Sequence, residues 1–345
     1  MKKEGKIELY RFLACVFIMI GHYVFYTDKD FSVPFCVAYQ FVEFFLLVSG
    51  FFTARHFDVK WTGDSKLIDI VKYHLKKFLR FLPFTIPAIL GVYVLESYPL
   101  LISGDKEGLL NNLKDIVLEM LYLSVFTGHE AHLFIMWFLS AMFITLPFLI
   151  AFFLIKNKWV KMIAGFILPV LYYILSPDYA VQESVNQLFR TFFGMMLGGS
   201  IYYFSSIVSK KDTPKAVKWV GTVLFLAAYI IPIIISYNNI YLSFEYIICF
   251  VLWLTVLMSH LTVLKPWHSK VLGFLGDISM PIFIWHITIF KYVNAFNILT
   301  DYPVLRFIIS IAVVIIISCL NLLIVRLCET VRKLIAAKIN PHFVR

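Results

Sequence analysis

Charge is what this 345-residue sequence has least of. Asp, Glu, Lys and Arg make up 15% of it, against roughly 25% in a typical soluble domain. With 61% of residues hydrophobic, that shortfall excludes a water-soluble globule, because too little polar surface remains to cover the apolar content. Cysteine is scarce as well. Cys15, Cys36, Cys249, Cys319 and Cys328 show no paired spacing, so they predict neither a disulfide framework nor a zinc site, and no metal is expected. No Gly/Ser linker, large hydrophilic insert or convincing internal repeat interrupts the chain, which reads as one membrane-embedded domain over 1–345. The net charge of +10 is dispersed through short loops, so no nucleic-acid partner is expected.

What the chain does have is apolar runs of membrane-spanning length, about 20 residues each. They cover approximately 9–27, 36–55, 80–97, 132–155, 159–176, 186–206, 217–237, 241–263, 278–297 and 303–326. A basic start precedes the first run, but no small-residue cleavage site follows it, so Leu9 to Tyr26 reads as a retained helix. The run 113–126 is short and holds Asp115 and Glu119, which predicts an interfacial helix rather than a crossing. The expected fold is therefore all-α, a polytopic membrane helical bundle with about ten transmembrane helices. On that topology one set of connections holds 24 Lys and Arg, while the other holds only Lys29, Lys106 and Lys114 and is otherwise acidic. Basic loops stay inside, so both termini are expected in the cytoplasm.

An ionisable group inside a span costs roughly 2.5–3.5 kcal/mol on insertion scales and usually faces a cavity or a partner. Those that stand out are Arg11, His22, Glu43, Arg190, Glu245, His286, Lys291 and Arg306. Arg11 and His22 are eleven residues apart, about 1100° of helix and therefore within about 20° of the same face, separated by ~16 Å along the axis. An anion-binding group and a titratable imidazole could thus line one tunnel; a snorkelling Arg and a hydrogen-bonded core His are the alternative. Glu43 is expected at a similar depth on the second helix. There its carboxylate would orient the His22 ring as a general base requires, or would form a purely structural ion pair. Glu245 and Lys291 have no assigned role.

The run Glu8-Leu9-Tyr10-Arg11-Phe12-Leu13-Ala14, with His22 following Arg11 after ten intervening residues, resembles the Arg-x10-His signature of the acyltransferase type-3 superfamily. Further matches follow in order. They are Val42-Glu43-Phe44-Phe45-Leu46-Leu47-Val48-Ser49-Gly50-Phe51, Arg80-Phe81-Leu82-Pro83, Met136-Trp137-Phe138-Leu139-Ser140, Arg190 to Gly194, and Gly276-Asp277-Ile278-Ser279 with Ile284-Trp285-His286. Met280-Pro281 departs from the pattern, where an aromatic after the serine is commoner.

The resemblance covers nearly the whole chain and implies a stand-alone integral-membrane O-acyltransferase of the plasma or inner membrane. It implies an acyl-CoA donor, usually acetyl-CoA, reached from the cytoplasm, and a hydroxyl acceptor on a glycan or lipid. Seven basic residues in 55–80 agree with a polyanionic donor, although a topology signal plus contact with anionic membrane lipids explains them equally well. On this reading His22 and Glu43 are catalytic, and Arg11 and Arg80 bind the donor. Trp137, Ser140, Arg190 and His286 are expected to contact substrate. Three of these have a plainer alternative: an interfacial anchor for Trp137, pairing with Glu43, Glu183 or Gln187 for Arg190, and a satisfied core histidine for His286. Gly194 and Gly198 predict close helix packing. A transporter or flippase is the rival reading, but no inverted repeat or matched pair of broken helices supports it. The oligomeric state stays open, a homo-oligomer included.

Overall fold

A computed structural model describes residues 4–27, 33–60, 67–126, 131–176, 184–208, 213–241 and 244–339. Of the described residues, 85% are helical, and they contain no strand. The helices are α1 (Gly5–Tyr26), α2 (Val42–Lys60), α3 (Leu67–Ser103), α4 (Lys106–Met120), α5 (Met136–Phe153), α6 (Lys158–Leu175), α7 (Ser184–Val208), α8 (Lys215–Tyr237), α9 (Phe244–Met258), α10 (Lys270–Ala295) and α11 (Pro303–Ile339). Eight are long and apolar enough to cross a membrane: α1, α3, α5, α6, α7, α8, α10 and α11. The expected second and eighth spans are present as helices but fall short of that standard. Glu43, Arg55, Asp58 and Lys60 make α2 too polar, and α9 is 15 residues long rather than 23.

Hydrogen bonds between helix ends fix the path of the chain. At one end Gly5 N donates to Trp267 O and Lys6 Nζ to Lys265 O, joining the start of α1 to the approach of α10. Tyr202 and Lys161 meet Asp58 at that same end. At the other end Arg306 donates to Thr27 O and Val293 O, tying α11 to the ends of α1 and α10, where helix carbonyls favour a cation. Successive helices therefore alternate in direction, except α4. It folds back beside the end of α3, with Asn112 donating to Ser97, and so leaves the later helices in the expected order.

Two helices overrun their apolar cores. α3 and α11 have 37 residues each, about 55 Å of helix against a hydrocarbon layer of about 30 Å. The extra turns carry Lys72, Lys76, Lys77 and Arg80 on α3 and Arg332 and Lys333 on α11. The prolines of α3 lie within the helix. Pro87 has no N–H to give to Pro83 O, and Asn321 Nδ2 supplies the missing donor at 3.2 Å.

Packing around the future site depends on two close approaches. A Cβ added to Gly198 would stand 2.0 Å from Leu47 O, and one at Gly50 would stand 1.8 Å from Met195 O. Glycine is thus what lets the backbones of α2 and α7 touch, as the small-residue spacing predicts. On the other side α10 runs along α1. There a Cβ at Gly276 would overlap Glu8 Oε2 at 1.6 Å, so Gly276 leaves room for the Glu8 carboxylate.

Candidate active site

One stripe of α1 faces α10 through Glu8, Cys15 and His22, spaced at i+7 and i+14. Near its start Arg11 Nη1 donates to Glu8 Oε2 at 3.3 Å, and the arginine side chain remains 28% exposed. Near its end the buried His22 ring meets the buried His286 ring. The distance from His22 Nδ1 to His286 Nε2 is 2.9 Å, and the planes lie 14° apart. Phe134 and Phe290 close around this pair.

This corrects the expected environment of His22. Glu43 does not reach it. Instead Glu43 Oε1 accepts from Arg190 Nε at 2.5 Å and Oε2 accepts from Tyr173 OH at 2.9 Å, joining α2, α6 and α7. The ion pair is sealed, with side chains 1% and 5% exposed. The apolar run 278–297 puts His286 only eight residues into its helix. α10 begins at Lys270 rather than at 278, so His286 lies 16 residues along it, about 24 Å, and in the same outer part of the bundle as His22.

Trp137 lies against the second cluster, with the Arg190 guanidinium 5.2 Å from its ring. Phe134, three residues earlier, lies against His22. The entrance to α5 thus touches both polar centres, and both rings are partly exposed. Ser140 does not line this passage. Its buried hydroxyl accepts from Val125 N at 3.1 Å and holds the 3-10 turn Ser124–Phe126 onto α5.

Residues 4–323 match the family model described as "Acyltransferase domain". The chain belongs to the acyltransferase-3 family. No curated protein and no solved structure gives a significant match. Family membership together with eight apolar helices makes the chain a multi-pass membrane acyltransferase.

In this acyltransferase Arg80 is exposed and forms no ion pair among the described residues. Three residues before it, Lys77 turns inward and donates to Ser49 Oγ at 2.9 Å, beside a Thr53–Tyr73 hydrogen bond. No carboxylate meets Lys77 among the described residues. Glu245 is exposed in the first turn of α9, a favourable place for a carboxylate and no sign of chemistry.

Lys291 belongs to a third cluster, at the outer end. It donates to Glu96 Oε1 at 2.5 Å and to His132 O at 2.7 Å. His132 Nδ1 bonds Glu96 Oε2, and its Nε2 lies 3.8 Å from Asp115. The backbone N–H groups of His132 and Leu133 both donate to Glu119. The hydrogen bond to Glu96 raises the His132 pKa above its ordinary value, helped by the charges of Glu119 and Asp115. Burial pushes the Glu119 carboxyl up.

Three residues of these clusters are not picked out by the sequence reading. Glu96 lies within the predicted run 80–97 and could have been noticed there as an intramembrane carboxylate. Lys77 stands one turn before Arg80 in a basic stretch and could have been separated from it by helical phase. Tyr173 carries no signal in a chain with 19 tyrosines.

Proposed function

We propose that this enzyme is an integral-membrane O-acyltransferase that moves an acyl group, most simply acetyl, from acyl-CoA to a hydroxyl of a glycan or lipid-linked acceptor. His22 is the general base. The observation that carries this is its placement: one ring nitrogen is held by His286, and the other, Nε2, has no hydrogen-bond partner among the described residues. His22 stands on the same stripe as Arg11, which reaches the basic end of the bundle.

The donor enters from that end, the cytoplasmic face by the positive-inside rule. Arg11, held on Glu8, and the solvent-facing Arg80 bind its anionic groups. Lys77, with no carboxylate beside it, adds a third cation. The acceptor approaches from the opposite end along Phe134 and Trp137, with Arg190 held behind Trp137 by Glu43. As the acceptor oxygen attacks the thioester carbon, His22 Nε2 takes its proton. The C–S bond then breaks with its electron pair on sulfur, and the imidazolium returns the proton to the CoA thiolate. The products are an ester and free CoA, and His22 is neutral again. General-base catalysis of this kind is typically worth about 10²–10⁴-fold.

The membrane is the plasma or inner membrane in this reading, and residues 1–345 act as one domain. The test is CoA release from acetyl-CoA by purified chain in nanodiscs supplied with membrane glycans and glycolipids. Acceptor-dependent release by the wild type and none by His22→Ala supports the assignment. Equal release by both sinks it.

A further inference from the structure

A general base needs a group that holds its ring and fixes which nitrogen carries the proton, and carboxylates commonly fill that place. Here, among the described residues, no carboxylate touches either buried imidazole. The restraint comes instead from α10. His286 Nδ1 lies 3.1 Å from Ile282 O, one turn back on the same helix. A carbonyl oxygen only accepts, so Nδ1 of His286 must carry a hydrogen. In a neutral ring Nε2 is then a bare acceptor, and it faces His22 Nδ1 at 2.9 Å. The His22 hydrogen must therefore sit on Nδ1, which leaves Nε2 with the lone pair. A doubly protonated His286 would reverse the direction. It would also leave an unpaired cation among Phe283, Phe290 and the His22 ring, a costly arrangement in so apolar a place.

We infer that His286 is a positioning residue: the relay Ile282 O, His286, His22 sets the tautomer of the base and receives part of the positive charge it gains. The inference rests on the acyl-transfer reading of His22 and adds a role for its neighbour. It also accounts for the absence of a carboxylate. The resting pair is neutral and tolerates burial, and charge arises only while the acceptor proton is on Nε2. In that moment the His22 Nδ1–H donates more strongly to His286, whose own Nδ1–H leans on the Ile282 carbonyl. When the proton passes to the thiolate, both rings return to their starting state.

The experiment uses the full chain in nanodiscs with ¹⁵N-labelled histidine, and acetyl-CoA with n-octyl-β-glucoside as the hydroxyl-bearing probe. In the wild type the His22 signal should be that of a ring protonated at Nδ1. In His286→Leu that preference should disappear, and kcat should fall by about 10²-fold, with the KM for acetyl-CoA unchanged. His286→Gln offers an amide oxygen to His22 and an N–H to Ile282 O, so it should recover kcat to within about tenfold of wild type and restore the Nδ1–H signal. Wild-type His22 protonated at Nε2, or His286→Leu with wild-type kcat, overturns the inference. A wild type that releases no CoA overturns the acyl-transfer reading alone, while the tautomer spectra still decide the relay.

Discussion

Two polar centres stand inside the bundle, both touched by the entrance to α5, and they meet the cost of burial in opposite ways. Glu43, Arg190 and Tyr173 bring formal charges together and cancel them with short hydrogen bonds across three helices. His22 and His286 bring no formal charge and are joined by a single contact between α1 and α10. The first arrangement is strained if any member is removed, because a guanidinium or carboxylate would be left alone in an apolar interior. The second has a nitrogen to spare and can take up a proton without losing its partner. Fixed charge suits a scaffold, and a neutral pair with an open lone pair suits turnover.

His22→Ala provides the sharpest test of that division. Turnover should fall by about 10²–10⁴-fold, while detergent elution and thermal unfolding stay near wild type. Glu43→Ala should do the reverse. It strands Arg190 and should destabilise the fold by about 3–5 kcal/mol, measured by thermal or denaturant unfolding. The double substitution Glu43→Leu, Arg190→Met should regain most of that loss, since an apolar pair of similar volume replaces a buried ion pair at little cost. If Glu43→Ala instead unfolds like wild type and abolishes turnover, the charged centre belongs to the chemistry and the comparison is broken. Arg11→Ala is expected to be milder. Its side chain is partly exposed and already shared with Glu8, so the KM for acetyl-CoA should rise about tenfold with kcat little changed, an effect of ~1.4 kcal/mol. Added salt should narrow the difference.

Helix number, direction and the Arg11–His22 face could be read from the sequence because they depend only on local quantities: apolar run length, loop charge and helical phase. The partners of the site could not. His286 meets His22 because α10 starts eight residues earlier than its apolar run, about 12 Å of helix, and the charged Lys270 and Asp277, with Gly273 and Gly276 between them, keep that stretch out of an apolar window. Leu67 to Leu79 of α3 escaped for the same reason. Depth alone pairs Glu43 with the nearest imidazole, whereas the contact of α2 with α7 through Gly50 and Gly198 turns it toward Arg190. The spacing of Gly194 and Gly198 is visible in the sequence, but which helix they face is a tertiary fact.

The outer cluster supplies the smallest effect and extends the comparison to pH. His132 bonds Glu96 and lies near Asp115, while its backbone N–H and that of Leu133 bond Glu119, so this short segment is strapped to α3 and α4 two residues before Phe134 reaches His22. The His132 pKa is raised in the folded chain, chiefly by the Glu96 hydrogen bond. Its contribution is therefore fully present below the unfolded value of about 6.5 and is lost as pH rises through the higher folded value. Lys291 also holds Glu96, so the strap should loosen rather than open. Thermal stability should then decline modestly above neutral pH, by less than about 1 kcal/mol for a partly solvated pair. His132→Gln, which cannot titrate, should flatten that decline while leaving stability above neutral pH close to wild type. A decline of unchanged size in His132→Gln would assign it to another group. A matching flattening of the pH–kcat profile would show that the strap, through Phe134, also governs access to the neutral centre.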